Sequence, residues 1–160
     1  IQRSFGDAAK LELKADKTEV KADGRDLIFL EISALDKDGT FVANANNRIN
    51  VEVSGAGRLI GLDNGDSTDY EQYKCKNRRL FMGRLLAIIA AKTEEGKINV
   101  KVSSKSLPDE ELTFKAVHSD NTAGVTAVEE NAEFIPDSAK GYDEIPIRKI
   151  ELCAPSLKFN

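Results

Sequence analysis

Residues 26–36 of the chain read DLIFLEISALD, and this segment decides the fold class. Alternate positions of the segment are apolar and would share one face of a strand: Ile28, Leu30, Ile32 and Ala34. Successive side chains of a β-strand point to opposite faces, so this alternation predicts a strand with one face in a core. Turn sequences flank the segment, KADGRD at 21–26 and DKDGT at 36–40, and each has a glycine where positive φ is expected.

The same alternation recurs in other parts of the chain. It appears in LELKA at 11–15, RINVEV at 48–53, KINVKV at 97–102 and ELTFKAV at 111–117. Many short alternating strands separated by turns are typical of an antiparallel sandwich. The sequence therefore predicts an all-β protein.

The stretch RRLFMGRLLAIIAAK, at residues 78–92, lacks this alternation. Its Leu, Met and Ala content favours a helix, but a surface helix would show a polar face, and Gly83 lies in the middle. A central strand covered on both faces has the same continuous apolar run. We therefore predict a strand at 84–91.

The alternation ends near residue 117 and resumes only close to the C-terminus. We divide the chain into a lead-in at 1–9, a sandwich at 10–117 and a linker or wrap at 118–160. IRKIELC, at 147–153, again alternates and predicts a strand. This strand either docks on the sandwich or begins a following module.

The composition excludes several classes of partner. The net charge is -4 at pH 7, whereas nucleic-acid binding needs clustered Lys and Arg side chains. The longest apolar run, LLAIIAA at 85–91, is far shorter than the roughly 20 residues that span a bilayer. The sequence has no Walker A loop, no G-x-G-x-x-G and no basic, apolar leader at its start. We expect no nucleic acid, membrane or cofactor as a partner.

Two cysteines and one histidine limit the metal and catalytic chemistry. Cys75 and Cys153 lie far apart without a C-x-x-C pair, which disfavours a zinc site. They could form one bridge, but we expect two free thiols. His118 lies in the polar stretch AVHSDNTAG, so we expect a solvated loop residue.

The segment GLDNGDSTD, at 61–69, is rich in side-chain oxygens. It does not match an EF-hand loop, because Gly65 occupies the third ligand position when Asp63 is the first. The oxygen density still allows an irregular calcium site, at Asp63, Asn64, Asp66 and Asp69. The favoured interpretation is a tight turn in which Asp and Asn side chains bond to nearby backbone N–H groups.

The same carboxylates are poor candidates for catalysis. A catalytic pair needs a carboxyl group whose pKa is raised by a buried apolar setting, and this loop is polar. No serine has a G-x-S-x-G setting, so we predict no catalytic residue. Sugar stacking has little support, because the chain has no Trp. Tyr70 and Tyr73 are the local aromatic candidates, and Phe81 is expected in the core.

The order of these motifs resembles a C-terminal Ig-like domain of glycoside hydrolase family two enzymes, of the β-galactosidase type. The resemblance covers residues 10–117. It rests on the ADG-D turn, the D-DG turn, the A-N pair, the series G-G-L-G-DNGD-TD-E and the R-LF-G step. That family often has Pro after NGD where this chain has Ser67, so a looser turn is expected.

The resemblance implies an Ig-like antiparallel β-sandwich of about seven to nine strands. Members of that family carry their catalytic glutamates in a central (β/α)₈ barrel, for which this chain is too short. The implied role is a non-catalytic accessory domain that packs against the other domains of the parent glycosidase and shapes its cleft or oligomer. The expected contact residues are Asp63, Asn64, Asp66, Tyr70, Arg78 and Arg79.

The resemblance also implies a periplasmic or extracellular location in a bacterium. Two other functions stay open. A carbohydrate-binding module would take glycan as its partner, although aromatic residues make up only 6% of the chain. An adhesin-like Ig repeat would share the ADG-D opening, but the DNGD and R-LF-G series disfavours it.

Overall fold

Nine β-strands and no helix form within residues 4–122, the part of the chain that the computed structural model describes. The strands are β1 (Lys10–Ala15), β2 (Glu19–Lys21), β3 (Leu27–Leu35), β4 (Arg48–Gly55), β5 (Gly57–Asp63), β6 (Asn77–Arg79), β7 (Arg84–Ala91), β8 (Gly96–Ser104) and β9 (Leu107–Val117). Over this range, no helix is long and apolar enough to cross a membrane.

The strands form two sheets that pack as a sandwich. A four-stranded sheet has the order β1-β3-β7-β5, and a five-stranded sheet has the order β2-β9-β8-β4-β6. The pairings are antiparallel, except that β2 runs parallel to β9. The prediction of an all-β, Ig-like antiparallel sandwich is confirmed.

Strand β3 contains the alternating segment and lies at the centre of the core. Ile28, Leu30, Ile32 and Ala34 are each 0% exposed, whereas Phe29, on the opposite face, is 41% exposed. Burying an Ile or Leu side chain contributes about 1.5–3 kcal/mol, so this face is a main source of stability. The alternation of apolar residues in the sequence therefore corresponds to the alternation of buried and exposed side chains in β3.

Strand β7 confirms the prediction of a strand at 84–91. It lies between β3 and β5. One face is buried, with Leu85, Ala87, Ile89 and Ala91 at most 1% exposed, whereas Leu86 and Ile88 on the other face are half-buried. The second face is therefore apolar but only partly covered, and burial on both faces is limited to the end of the strand, at Ala90.

The alternating patterns do not predict β2, β5 or β6. Strands β2 and β6 have three residues each, which is too short for a period to appear. Strand β5 has a register shift between Leu59 and Gly61 in its pairing with β7, and such an irregularity breaks the alternation. These strands are fixed by their neighbours in the sheets.

The predicted division into a lead-in, a sandwich and a linker or wrap stays a prediction. The lead-in is attached to the turn after β3, because the Gly6 N–H donates to the Asp36 carboxylate over 2.9 Å. Strand β1 begins at Lys10, and β9 ends at Val117. The predicted strand at 147–153 lies outside the described residues.

Candidate functional site

The acidic segment lies at one end of the sandwich, where the chain passes from one sheet to the other. Strand β5 ends in the four-stranded sheet and β6 lies in the five-stranded sheet, so the β5–β6 loop, residues 64–76, crosses between them. Asp63 pairs with Leu86, near the start of β7. The β6–β7 turn, residues 80–83, therefore lies at the same end of the sandwich.

The side-chain oxygens in the first half of this loop accept hydrogen bonds from the loop's own backbone. Asp63 Oδ1 accepts from the Gly65 N–H over 2.9 Å, and Asn64 Oδ1 accepts from the Asp66 N–H over 3.0 Å. Asp66 Oδ1 accepts from the N–H and the hydroxyl of Thr68, over 2.9 and 2.7 Å. Gly65 supplies the left-handed conformation, with φ 75°. The favoured interpretation as a tight turn matches this geometry.

Few side-chain oxygens of this turn are available to bind a calcium ion. Within residues 4–122, no group of three or more His, Cys, Asp or Glu side chains is arranged to hold a metal ion. A calcium site needs 6–8 oxygen ligands as a rule, and here Oδ1 of Asp63, Asn64 and Asp66 already accepts a backbone N–H. Calcium binding stays a prediction.

The second half of the loop is built around Asp69. Its Oδ2 accepts from Arg78 Nε and from Asn64 Nδ2, each over 2.9 Å, and its Oδ1 accepts from the Glu71 N–H over 2.9 Å. Arg78 also donates from Nη1 to the Leu62 carbonyl over 2.7 Å. Arg78 is 6% exposed, so these bonds lie within the fold rather than at its surface.

The Asp69 carboxyl is held in its ionised form. Burial by itself raises its pKa, but the Glu71 N–H, the Arg78 guanidinium and the Asn64 amide outweigh that effect and hold the pKa below its ordinary value. A general acid needs the opposite shift, so Asp69 is unsuited to donating a proton near neutral pH. The absence of a catalytic pair from this loop stays a prediction.

A second ion pair joins the loop to two strands of the five-stranded sheet. Arg48, at the start of β4, donates to both carboxylate oxygens of Glu71, over 3.1 and 2.5 Å. Its Nη1 also donates to Asn77 Oδ1 over 2.8 Å, at the start of β6. Sequence reasoning missed this pair, because the partners are 23 positions apart and no motif links them.

The predicted contact residues differ in the solvent exposure of their side chains. Tyr70 is 98% exposed, Asp63 and Arg79 are also exposed, and Asn64 and Asp66 are half-buried. Arg78 is buried and fully engaged with Asp69 and Leu62, so it supports the loop from inside rather than presenting its side chain. The hydrogen bonds within the β5–β6 loop thus fix the backbone on either side of the exposed Tyr70.

Tyr73 lies against β5 rather than extending into solvent. A Cβ atom added at Gly61 would lie 2.1 Å from Tyr73 Cε1, so the absence of a side chain at Gly61 makes room for the ring. The Leu62 N–H also donates to the Tyr73 carbonyl over 2.9 Å. The ring remains 40% exposed.

The β6–β7 turn adds a second exposed apolar element. Phe81 and Arg84 exchange backbone hydrogen bonds over 3.0 and 3.1 Å, while Met82 and Gly83 take φ values of 49° and 76°. Two positive φ values are characteristic of a type I′ hairpin turn. Phe81 is 39% exposed and Met82 is 65% exposed, so the expectation that Phe81 belongs to the core is wrong. Phe81 lies in the turn, outside the strands of the sandwich, which accounts for this exposure.

Cys75 and His118 complete the residues singled out from the sequence. Cys75 is 2% exposed and disulfide-bonded, so the expectation of a free thiol is wrong for this residue. Sequence spacing carried no signal for the bond. His118 is exposed, with Nε2 2.9 Å from Asp120 Oδ1, as expected for a solvated loop histidine.

Residues 11–113 match the family model for the glycoside hydrolase family 2 C-terminal domain 5. The beta-galactosidase BoGH2A of Bacteroides ovatus is 32% identical over 111 residues, which cover 69% of this chain and 13% of that protein. A beta-galactosidase of Thermoanaerobacter pseudethanolicus is 29% identical over 107 residues, which cover 64% of this chain and 14% of that protein. A solved beta-glycosidase from Bacteroides vulgatus is similar with a TM-score of 0.69 and 31% identity, over 71% of this chain and 15% of that chain.

The matched range contains both the β5–β6 loop and the β6–β7 turn. The chain spans 13% and 14% of the two curated relatives, so it corresponds to a small part of much larger proteins. The family model, the sequence relatives and the solved structure agree with the resemblance drawn from the order of the motifs. The chain belongs to glycoside hydrolase family 2, as a member of its C-terminal domain 5.

Proposed function

We propose that this chain is a non-catalytic accessory domain of a β-galactosidase-type glycoside hydrolase, which packs against the enzyme's other domains and shapes its cleft or oligomer. The observation that carries the proposal is the family match over residues 11–113, in relatives of which the chain spans less than a sixth. The remaining length of those relatives is long enough to contain the catalytic domain.

The chemistry of the described residues supports the non-catalytic part of the proposal. Glycoside hydrolysis needs two carboxyl groups that flank the scissile bond, one of them with a raised pKa. In the acidic segment, Asp63 and Asp66 accept hydrogen bonds from the backbone, and the pKa of Asp69 is lowered. These groups stabilise turns instead of flanking a substrate.

The β5–β6 loop and the β6–β7 turn are the surfaces best suited to a neighbouring domain. The Asp69–Arg78 and Arg48–Glu71 pairs fix the loop before any partner arrives, so little ordering entropy is lost on contact. Tyr70 and Met82 are 98% and 65% exposed, and large apolar side chains of this kind are enriched in interfaces. The partner is another domain of the same enzyme.

A carbohydrate-binding module is the second candidate, and the exposed Tyr70 ring is the observation that favours it. Sugar rings stack on aromatic side chains that project from a surface. Tyr70 and Tyr73 are the exposed tyrosines of this end, at 98% and 40%. Isothermal titration of the chain with galactose-containing oligosaccharides distinguishes the two candidates, because an accessory packing domain releases no heat of binding.

The proposal includes an exported location in a bacterium. Disulfides form and persist mainly in oxidising compartments such as the periplasm or the extracellular space, and Cys75 is disulfide-bonded. Fractionation of the source cells tests this part. Recovery of the parent enzyme with the cytosolic fraction contradicts it.

Two experiments test the accessory role. The isolated chain should not hydrolyse nitrophenyl β-galactoside, and turnover above a buffer blank contradicts the proposal. The reading frame upstream of the chain should encode a (β/α)₈ barrel, whose separately produced polypeptide should bind the chain. Binding should weaken at least tenfold in the Tyr70→Ala variant, which removes a central interface side chain.

A matched control separates loss of contact from loss of folding. Glu95 is exposed in the turn between β7 and β8. That turn lies at the opposite end of the sandwich, because β7 runs from its pairing at Asp63 toward its pairing at Gly57. The Glu95→Ala variant should bind the barrel as the unchanged chain does. Equal affinities for both variants contradict the proposed contact face.

A further inference from the structure

Asn64 and Gly65 form an Asn-Gly pair in the first half of the β5–β6 loop. Asn64 is the one asparagine of the sequence that is followed by glycine. An asparagine loses its side-chain amide when the backbone nitrogen of the next residue attacks the carboxamide carbon. A side chain on that next residue hinders the attack, and glycine has none. This pair is therefore the position of the chain at which deamidation meets the least steric resistance.

The turn holds both of the groups that would react. The Gly65 N–H donates to Asp63 Oδ1 over 2.9 Å, so the attacking nitrogen is engaged. Asn64 Oδ1 accepts from the Asp66 N–H over 3.0 Å, so the carboxamide is engaged as well. For the ring to close, the nitrogen must lose its proton and the carboxamide must turn its face toward it. Both hydrogen bonds have to break before the reaction begins.

Two acceptors outside the turn fix the nitrogen of the same carboxamide. Asn64 Nδ2 donates to Asp69 Oδ2 over 2.9 Å, in the second half of the loop. It also donates to the Arg79 carbonyl over 3.1 Å, in β6. The half-buried Asn64 side chain thus joins the turn to the rest of the loop and to the five-stranded sheet. A rotation of this side chain loses these two bonds in addition to those of the turn.

We propose that Asn64 is a site of spontaneous deamidation that the folded loop protects, and that the product of the reaction loosens the β5–β6 loop. The reaction requires the loop to open, and local openings are rapid compared with deamidation. Its rate therefore follows the fraction of molecules in which the loop is open. This inference goes beyond the accessory role and does not depend on it.

The reaction proceeds through a cyclic imide and consumes one molecule of water. The Gly65 nitrogen forms a bond to Cγ of Asn64 and gives up its proton, and the side-chain nitrogen leaves as ammonia. Water then adds to one of the two carbonyl carbons that flank the Gly65 nitrogen, and the bond between that carbon and the nitrogen breaks. Breakage at Cγ leaves an aspartate at position 64. Breakage at the backbone carbonyl leaves an isoaspartate, which adds one carbon to the main chain.

The product has an oxygen where the loop requires a donor. An oxygen in place of Nδ2 faces Asp69 Oδ2 and the Arg79 carbonyl, which are both acceptors. The Asn64 amide is one of the groups that hold the Asp69 pKa low, whereas a carboxylate beside Asp69 repels it. Asp69 is the partner of the buried Arg78, so this repulsion acts on the ion pair between the loop and β6. The added backbone carbon of an isoaspartate disrupts the turn further.

Peptide mapping of the full 160-residue chain tests the site and its protection. The chain is incubated in mildly alkaline buffer with and without guanidinium chloride, and samples are diluted and digested briefly with trypsin. Asn64 is the only asparagine of the peptide Leu59–Lys74. We expect this peptide to gain the mass difference between a hydroxyl and an amino group, at least about tenfold faster in the unfolded chain. Equal rates overturn the protection, and no conversion in the unfolded chain overturns the site.

The Gly65→Ala variant tests which nitrogen attacks. The comparison is made in guanidinium chloride, where differences in folding play no part. The alanine methyl group should slow the conversion of Asn64 about tenfold, which corresponds to about 1.4 kcal/mol in the activation barrier. An unchanged rate would mean that the attack does not come from the nitrogen of residue 65, and it overturns the inference.

The Asn64→Asp variant reproduces one of the two products and tests its effect on the loop. Asn99→Asp is the matched control, because Asn99 is exposed in β8 and accepts from the Thr113 hydroxyl through an oxygen that aspartate keeps. Both variants add the same charge. Amides of residues 64–76 should exchange hydrogen at least about tenfold faster in Asn64→Asp than in Asn99→Asp. Equal exchange in the two variants overturns the loosening.

A failure of this inference is distinguishable from a failure of the accessory role. None of the readouts involves a sugar or a barrel domain. A chain that packs against a barrel without deamidating at Asn64 would overturn the inference and leave the accessory role intact.

Discussion

Arg78 and Asp69 form an ion pair at the base of the β5–β6 loop, with 2.9 Å between Nε and Oδ2 and with side chains that are 7% and 12% exposed. Each side chain has further partners, since Arg78 also binds the Leu62 carbonyl and Asp69 also binds the Asn64 amide. The pair therefore connects β5, the loop and β6. Together with the Arg48–Glu71 pair, it holds the geometry of the β5–β6 loop.

Removal of the guanidinium should destabilise the protein strongly. Arg78→Met keeps apolar volume but leaves the Asp69 carboxylate and the Leu62 carbonyl largely buried without their donor. Breaking one side of a buried pair costs about 3–5 kcal/mol, and we expect the lower part of that range because Asn64 and Glu71 still donate to Asp69. Urea unfolding measures the change in the free energy of unfolding.

A surface pair provides the control for that measurement. Lys101 and Asp109 are 3.1 Å apart, but their side chains are 46% and 48% exposed. Lys101→Met should therefore change the free energy of unfolding by much less than Arg78→Met does. An Arg78→Met effect as small as that of Lys101→Met contradicts the structural role of the buried pair.

The lowered pKa of Asp69 predicts a pH dependence with a definite sign. A carboxyl group whose pKa is depressed by folding stabilises the protein fully above its unfolded pKa, near about 3.9 for Asp. That contribution is lost as the pH falls through the lower folded pKa. Stability should therefore fall as the pH is lowered below about 4.

The Asp69→Asn variant isolates this group from the other carboxylates. Asn keeps the shape of the side chain but does not titrate, so the stability of the variant should fall less steeply below about pH 4 than that of the unchanged chain. Both proteins are compared by urea unfolding across that range. Parallel pH profiles would mean that the Asp69 pKa is not lowered by folding.

Much of the fold follows from the sequence, and the candidate site follows only in outline. The period of two identified β3 because Ile28, Leu30, Ile32 and Ala34 face a core that excludes water. The Asx turns of the acidic segment also follow from local chemistry, since each of their hydrogen bonds spans two positions. Both features depend only on residues that are close together in the sequence, so the sequence predicts them.

The features that sequence reasoning missed are all long-range. Arg48 and Glu71 meet because β4 and β6 are neighbours in a sheet, and nothing near either residue signals the other. Arg78 is one of the predicted contact residues, yet it is buried, and Asp69 and Leu62 accept hydrogen bonds from its guanidinium. Such pairings depend on the sheet order, which composition and spacing do not determine.

Two glycines with similar backbone conformations should respond differently to alanine. Gly55 and Gly65 have φ values of 82° and 75°, so alanine is strained at both by about 1–2 kcal/mol. A Cβ at Gly55 would lie 2.1 Å from the Lys97 carbonyl oxygen, whereas a Cβ at Gly65 meets nothing within 4 Å. The backbone at Lys97 is part of β8 and has little freedom to move.

Gly55→Ala should therefore cost a further 1–3 kcal/mol or so beyond the cost of Gly65→Ala. Thermal or urea unfolding of the two variants measures the difference directly. The comparison is matched, because both positions carry the same strain in φ and differ in the space around them. Equal costs would show that the contact with Lys97 relaxes freely.

Calcium should leave the stability of the protein unchanged. A ligand that binds only the folded state raises the melting temperature, and the stabilisation grows with the logarithm of the ratio of its concentration to the dissociation constant. In the acidic segment Oδ1 of Asp63, Asn64 and Asp66 accepts a hydrogen bond from the backbone. The second carboxylate oxygens of Asp63 and Asp66 fall well short of the 6–8 oxygen ligands that calcium takes as a rule. The melting temperatures in millimolar calcium and in chelator should agree within about 1 °C. A rise with calcium that disappears in an Asp66→Asn variant would establish a metal site and overturn the assignment of these oxygens to the turn alone.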